Sequence, residues 1–350
     1  MSRFWSQGVD ALHPYIPGEQ PNRTGVVKLN TNESPYPPSS RALQAMRDVS
    51  PDQLRRYPDP ESKMLRQALA DYHLVGINQV FVGNGSDEVL GFAFKAFFCG
   101  KGALCFPDIS YSFYPVWAQM FDIATQVLSV NEAYEIPLSE IPAGVGGIIF
   151  PNPNAPTGIA IPRQQIEDLL GRFPDTVVII DEAYVDYGAE SVVGLLNTFD
   201  NLLIVRTMSK SRGLAGLRVG YALGSAELID GLVRIKDSFN SYPLDAIAQA
   251  GALASVQDEG YFQETVSAVI DARQQLSQGL KALGFDVLPS SANFVFAKNE
   301  RRTGQEWQAL LREQNILVRH FNKPRLHDWL RITVGTPEEV LALLKALALF

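Results

Sequence analysis

The chain has 350 residues, 46% of them hydrophobic and 19% charged, with a formal net charge of −8 and a pI of about 5.1. That length exceeds what a single core sustains, so a large domain with a smaller companion is expected, and the hydrophobic content excludes wholesale disorder. The acidic balance argues against nucleic acid or a membrane surface as partner, because both attract a basic face.

The N-terminus, MSRFWSQGVDALHPYIPGEQ, has no basic start followed by an apolar run, and no stretch approaches about 18 uninterrupted apolar residues. A cytoplasmic protein without membrane anchorage is the expectation. The first forty or so residues are rich in Pro, Asn and Gly and studded with aromatics, which reads as an arm with no fold of its own. A helical period then runs from Glu61 to Leu74 through Met64, Leu65, Ala68 and Leu69. Short apolar runs follow: QVFVG, ALCFP, ATQVLSV, GGIIFP, TVVIIDEAY, NLLIVRT and RVGYAL, between 79 and 223. Continuous β-branched runs with amphipathic segments between several of them predict an α/β domain with a mostly parallel sheet covered on both faces. From about Pro243 the pattern changes to long helices, then the short strands FDVLP, NFVFA and ILVRHF, and a final helix from Pro337, which reads as a smaller α+β domain. The expected division is an N-terminal arm and part of the small domain over 1–44, a large domain over 45–245 and a small domain over 246–350.

Cys99 and Cys105 are the only cysteines, too few for a disulfide framework in a chain of this length, and read as reduced core residues. His13, His73, His320 and His327 lack HxH or HxxxH spacing, so no metal site is expected.

Five segments carry groups suited to chemistry. GNGSDEVL, Gly83 to Leu90, leaves a strand and opens a helix with Ser86 and Asp87 at its start; it is either a capped turn or a phosphate site built from free N–H groups. YSFYP offers Tyr111 for stacking on a flat ring or for the core. PNPNAPTG, Pro151 to Gly158, makes a rigid loop at a strand's C-terminal edge, where ligands of open α/β sheets gather; it is equally a Pro-rich connection. DEAY brings Asp181 out of a buried strand, as a helix N-cap or as a carboxylate that requires a cation or donors. TMSKSRGLAGLRVGYALG, Thr207 to Gly224, sets Lys210 among small hydroxyl residues and ends with Arg218 entering a strand. Thr207, Ser209 and Arg218 together suit a phosphate, and Lys210 suits attachment to an adjacent aldehyde as a Schiff base.

In this order the five segments, flanked by LNTNESPYP and YPDP early and by ANFVFA and LRITVGTPEE late, resemble over essentially the whole chain the fold-type I pyridoxal-phosphate aminotransferases, most closely the histidinol-phosphate aminotransferase family. The resemblance implies a large domain with a seven-stranded sheet, one strand antiparallel, sandwiched by helices, and a smaller α+β domain. It implies pyridoxal 5'-phosphate attached to Lys210, with Asp181 at the pyridine nitrogen, Tyr184 at the ring's phenolic oxygen and Tyr111 stacked on the ring. Ser86, Asp87, Thr207, Ser209 and Arg218 would hold the cofactor phosphate. One position departs: the family's asparagine immediately before PTG is Ala155 here, which leaves its contact to Asn154 or to Tyr184 alone. Tyr15, Tyr57, Arg319 and Arg331 match residues that bind the substrate's phosphate, with Arg331 at the end of a strand and Tyr57 reaching across from a second subunit of a homodimer with shared active sites. The implied reaction is transamination of L-histidinol phosphate with 2-oxoglutarate, giving imidazole acetol phosphate and L-glutamate, in histidine biosynthesis. An aromatic amino-acid aminotransferase and a threonine-phosphate decarboxylase-like lyase are the alternatives.

Overall fold

The computed structural model describes residues 3–6, 8–14, 18–21 and 24–350. The strands among these residues are β1 (Val27–Leu29), β2 (Val80–Asn84), β3 (Leu104–Pro107), β4 (Thr125–Leu128), β5 (Gly147–Pro151), β6 (Val178–Asp181), β7 (Leu202–Thr207), β8 (Val219–Gly224), β9 (Asp286–Val287), β10 (Phe294–Lys298), β11 (Ile316–His320) and β12 (Trp329–Thr333). Seven of them form a sheet in the order β2-β8-β7-β6-β5-β3-β4. Within it β8 runs antiparallel to both neighbours, and the other pairings are parallel. This is the mixed α/β sheet that the apolar runs imply.

The two-residue period of each strand divides the core into two layers. Ile149, Ile179, Leu203, Val205 and Ala222 face one way, onto the helices Gly85–Phe97 and Ala226–Phe239. Ile148, Ile180, Ile204 and Leu223 face the other, onto the helices Lys63–His73, Arg163–Arg172 and Ala246–Val256. Because both faces are covered, every residue of β7 is buried, which is why the sequence shows a continuous apolar run there and no alternation.

The second sheet has the order β1-β11-β12-β10-β9, with β1 parallel to β11 and the remaining pairs antiparallel. The helices Glu259–Ala282, Gly304–Glu313 and Pro337–Leu347 bury Leu276, Leu280, Trp307, Leu311 and Leu343 with Leu330 and Ile332 of β12. Two of these helices start with a reciprocal cap, Thr303 with Glu306 and Thr336 with Glu339, which satisfies backbone N–H groups that a helix start leaves without partners. The N-terminal arm gives this sheet its edge strand β1. Arg331 falls in the middle of β12 and not at a strand end, since pairing with β10 runs from Trp329 through Thr333. Cys105 is buried, Cys99 half-buried, and both are free. Among the described residues no helix is long and apolar enough to cross a membrane.

Candidate active site

The C-terminal ends of β6 and β7, the loop after β7, the start of the helix Gly85–Phe97 and the arm before Glu33 converge at one edge of the large sheet. Asp181 ends β6 and Thr207 ends β7. The turn after β7 carries Ser209 and Lys210, and Arg218, at φ 54, leads into β8.

The helix start lies against β8 because two glycines allow it. A Cβ on Gly220 would stand 2.2 Å from the Ser86 nitrogen, and one on Gly85, at φ +81, would stand 2.5 Å from Arg218 Nη2. Arg218 Nη2 donates to Asp87 Oδ2 (3.1 Å) and Nη1 to Ser209 Oγ (3.4 Å). The Ser209 N–H donates to Thr207 Oγ1 (3.1 Å). Tyr111 Oη donates to the second Asp87 oxygen (2.7 Å). Ser86, Asp87, Thr207, Ser209 and Arg218 thus form one corner, with N–H groups of a helix start beside a guanidinium, an arrangement suited to a phosphate. The Asp87 carboxylate sits between Arg218 and Tyr111 and ties the two together. Burial, followed by the charge of Asp87, raises the Tyr111 phenol well above its ordinary range.

Asp181 is only 5% exposed. It accepts from Tyr114 Oη (3.1 Å) and from the Ala183 N–H (3.2 Å), and no ion pair includes it among the described residues. Burial pushes its carboxyl up to about 6, against the hydrogen bonds from Tyr114 and Ala183 that lower it. A carboxylate so placed is suited to pairing with a cationic ligand atom.

Three consecutive arm residues each touch a different site residue. The Asn30 carbonyl accepts from Arg331 Nη2 (3.0 Å), the Thr31 carbonyl accepts from Lys210 Nζ (3.3 Å), and Asn32 Nδ2 donates to Tyr184 Oη (3.0 Å). Lys210 Nζ also lies 5.7 Å from the centre of the Tyr184 ring. Arg319 and Arg331 stand directly opposite each other on β11 and β12. Both line the cleft that holds Lys210, Tyr111, Tyr184 and Ala155, and Lys323 joins them there.

Two expected residues lie elsewhere, and one lies outside the described residues. Asn154 does not take the place of the asparagine absent at Ala155. Its amide donates to the Ile109 carbonyl (3.0 Å) and Thr157 Oγ1 (3.1 Å), its backbone N–H is tied to Ile159, and Ala155 forms the cleft wall. Tyr57 is 81% exposed and stacks on Tyr242 with ring centres 4.6 Å apart, away from the cleft within its own chain. Tyr15 is the one outside the described residues. Conversely, Asn30, Thr31, Asn32 and Tyr114 are missed by reasoning from sequence. The only signals for them are the polar run in LNTNESPYP and the second tyrosine of YSFYP.

The site as a whole fits pyridoxal phosphate: a phosphate corner, a buried carboxylate lacking a cation, a lysine amine and a phenol between them, and aromatic Tyr111 alongside. The class I and II aminotransferase model matches residues 24–347. Histidinol-phosphate aminotransferase 1 of Bordetella parapertussis is 55% identical, over 99% of this chain and 98% of its own. Histidinol-phosphate aminotransferase 1 of Pseudomonas aeruginosa is 53% identical over 99% of both. The structure of the Sinorhizobium meliloti histidinol-phosphate aminotransferase in complex with pyridoxal-5'-phosphate shares the fold, with a TM-score of 0.82 at 24% identity over 92% of this chain and 89% of that one. The chain belongs to the class I and II aminotransferases, enzymes that use pyridoxal phosphate, and within them to the histidinol-phosphate aminotransferase family.

Proposed function

We propose that this enzyme transaminates L-histidinol phosphate with 2-oxoglutarate, giving imidazole acetol phosphate and L-glutamate, in histidine biosynthesis. The observation that carries the substrate assignment is the pair Arg319 and Arg331, opposed across β11 and β12 at the cleft that holds Lys210. Both side chains line that cleft, and a phosphate dianion held there would accept charge-assisted hydrogen bonds from both guanidiniums. The carboxylates of 2-oxoglutarate and glutamate use the same cations in the second half of the cycle.

Bound pyridoxal phosphate supplies the electron sink for the carbanion formed at the amine-bearing carbon. Asp181 keeps the pyridine nitrogen protonated by charge pairing in a buried site. Lys210 would hold the cofactor through Nζ, and the same amine, once free, would serve as the base that carries the substrate's proton from its carbon to the cofactor. Ser86 and Asp87, largely through backbone N–H groups, with Thr207, Ser209 and Arg218 would hold the phosphate, Tyr111 would stack on the ring, and Tyr184 would donate to the phenolic oxygen. Tyr15 and Tyr57 complete the substrate's phosphate site. Exposed Tyr57 does so from the second subunit of a homodimer, so mixing the Tyr57→Ala and Lys210→Ala enzymes should give more activity than either alone. A cytoplasmic setting accords with two free cysteines.

The deciding experiment is a half-reaction absorbance titration with L-histidinol phosphate, phosphothreonine and aromatic amino acids. Rapid conversion to the aminated cofactor is expected with histidinol phosphate. Conversion by an aromatic amino acid but not by histidinol phosphate would sink the assignment, and carbon dioxide release from phosphothreonine would move it to a lyase. Borohydride reduction and peptide mapping should label Lys210.

A further inference from the structure

The loop Pro151–Gly158 presents a methyl group to the cleft at Ala155, and the amide that reaches Tyr184 comes from the far end of the chain. Asn32 is 1% exposed and sits at φ 56, a left-handed conformation that asparagine tolerates better than most residues. Its N–H donates to Thr333 Oγ1 (2.9 Å), and the Thr333 hydroxyl donates in turn to Asn32 Oδ1 (3.1 Å). Its carbonyl accepts from Asn293 Nδ2 (3.0 Å). With Oδ1 occupied by Thr333, the amide NH₂ faces Tyr184 Oη at 3.0 Å. The phenol oxygen is then an acceptor toward Asn32 and keeps its own hydrogen for a group in the cleft. Accepting one hydrogen bond polarises the O–H and strengthens the bond it donates.

We infer that Asn32 is a positioning residue which, acting through Tyr184, supplies the hydrogen-bonding function that the chain lacks at Ala155. The inference rests on the proposed site, with the cofactor on Lys210 and Tyr184 at its phenolic oxygen. Asn32 acts on the cofactor only through Tyr184. It fixes the direction in which the phenol donates and raises the strength of that donation.

The test compares wild type, Asn32→Ala, Tyr184→Phe and the double variant, each loaded with pyridoxal phosphate. The pH dependence of the cofactor's near-visible absorbance is read, together with apoprotein affinity for the cofactor and thermal unfolding. Weaker donation from Tyr184 leaves more negative charge on the phenolic oxygen, which holds the proton on the nitrogen joining Lys210 to the ring. Asn32→Ala should therefore move the absorbance titration upward by about one pH unit and weaken cofactor binding. In the Tyr184→Phe background the same substitution should add almost no shift. An unmoved titration overturns the inference even where thermal stability falls, because a purely structural role would do only the latter. An equal shift with and without the Tyr184 hydroxyl overturns it too. Should Asn32→Ala fail to fold, Thr333→Val frees the Asn32 amide while leaving Tyr184 in place; a smaller upward shift supports the inference, and none overturns it. A wild-type protein that carries no cofactor on Lys210 removes the site reading and the inference together, whereas a normal wild-type titration beside an unmoved variant removes the inference alone.

Discussion

Asp181 and Glu182 are neighbours on the chain, both buried carboxylates at the end of the same strand, and they face opposite sides of the sheet. Glu182 is saturated: it accepts two hydrogen bonds from Arg206 (2.9 and 2.7 Å), one from Ser191 Oγ and one from the Val192 N–H. Arg206 reaches on to Asp186 at 3.3 Å, and Ser211, next to Lys210, donates to the other Asp186 oxygen. Asp181 has a phenol, one N–H and, among the described residues, no ion pair. Two carboxylates equally removed from water therefore have different fates. The one whose cation is built into the protein braces the loop that carries Lys210, and the one without such a cation is suited to a cation that a ligand brings.

Breaking this contrast has its largest effect at Asp181. Asp181→Asn should lower turnover at least about 10²-fold, as loss of a preorganised electrostatic partner does, yet stabilise the apoprotein at neutral pH. The folded-state carboxyl sits near 6 against an ordinary 3.8, so wild type loses stability as pH rises from about 4 to about 6 and the variant does not. The expected gap above that window is about 3 kcal/mol, measured as apoprotein unfolding in urea against pH. A variant no more stable than wild type at pH 7.5 would mean that the carboxylate is already paired.

On the saturated side, Arg206→Met leaves Glu182 buried and charged without its partner and should cost about 3–5 kcal/mol, again read by denaturant unfolding. Adding Glu182→Gln should recover part of it. At the cleft mouth, Arg331→Lys keeps the charge and loses the planar fork, so KM for the phosphorylated amine should rise about tenfold with a smaller change for an unphosphorylated amine. An effect confined to acid concerns His73, which hydrogen-bonds Tyr221 at 3.0 Å. Burial, followed by the charges of Arg206 and Arg212, lowers it to about 3 from 6.5. Stability should fall as pH drops from 6.5 toward 3, since the unfolded chain takes up a proton there that the folded one refuses, and His73→Phe should flatten that slope.

The layers of the large sheet and the anchoring region were legible because they are local. An apolar run ending in Asp181 announces a buried strand that delivers a carboxylate, and Thr207, Ser209, Lys210 and Arg218 lie within a dozen residues of one another. The rest is long-range. The opposition of Arg319 and Arg331 needs the register of two strands, and the roles of Asn30, Thr31 and Asn32 depend on partners more than 150 residues away. Asn154 misled for a related reason: its position in the motif is right, but its amide is spent on Thr157 of its own loop and on the Ile109 carbonyl, 45 positions away. Tyr57 shows another limit, since its surroundings within one chain are solvent and Tyr242.

The contact between the arm and β12 also bears on how the protein is made. Asn32 and Thr333 are 301 positions apart, and β1 has no strand to pair with until β11 exists. During synthesis the large sheet, complete at β8, can assemble while β1 waits unpaired for β11. Lys210, Tyr184 and Arg331 thus gain their arm contacts only once β11 and β12 have been made.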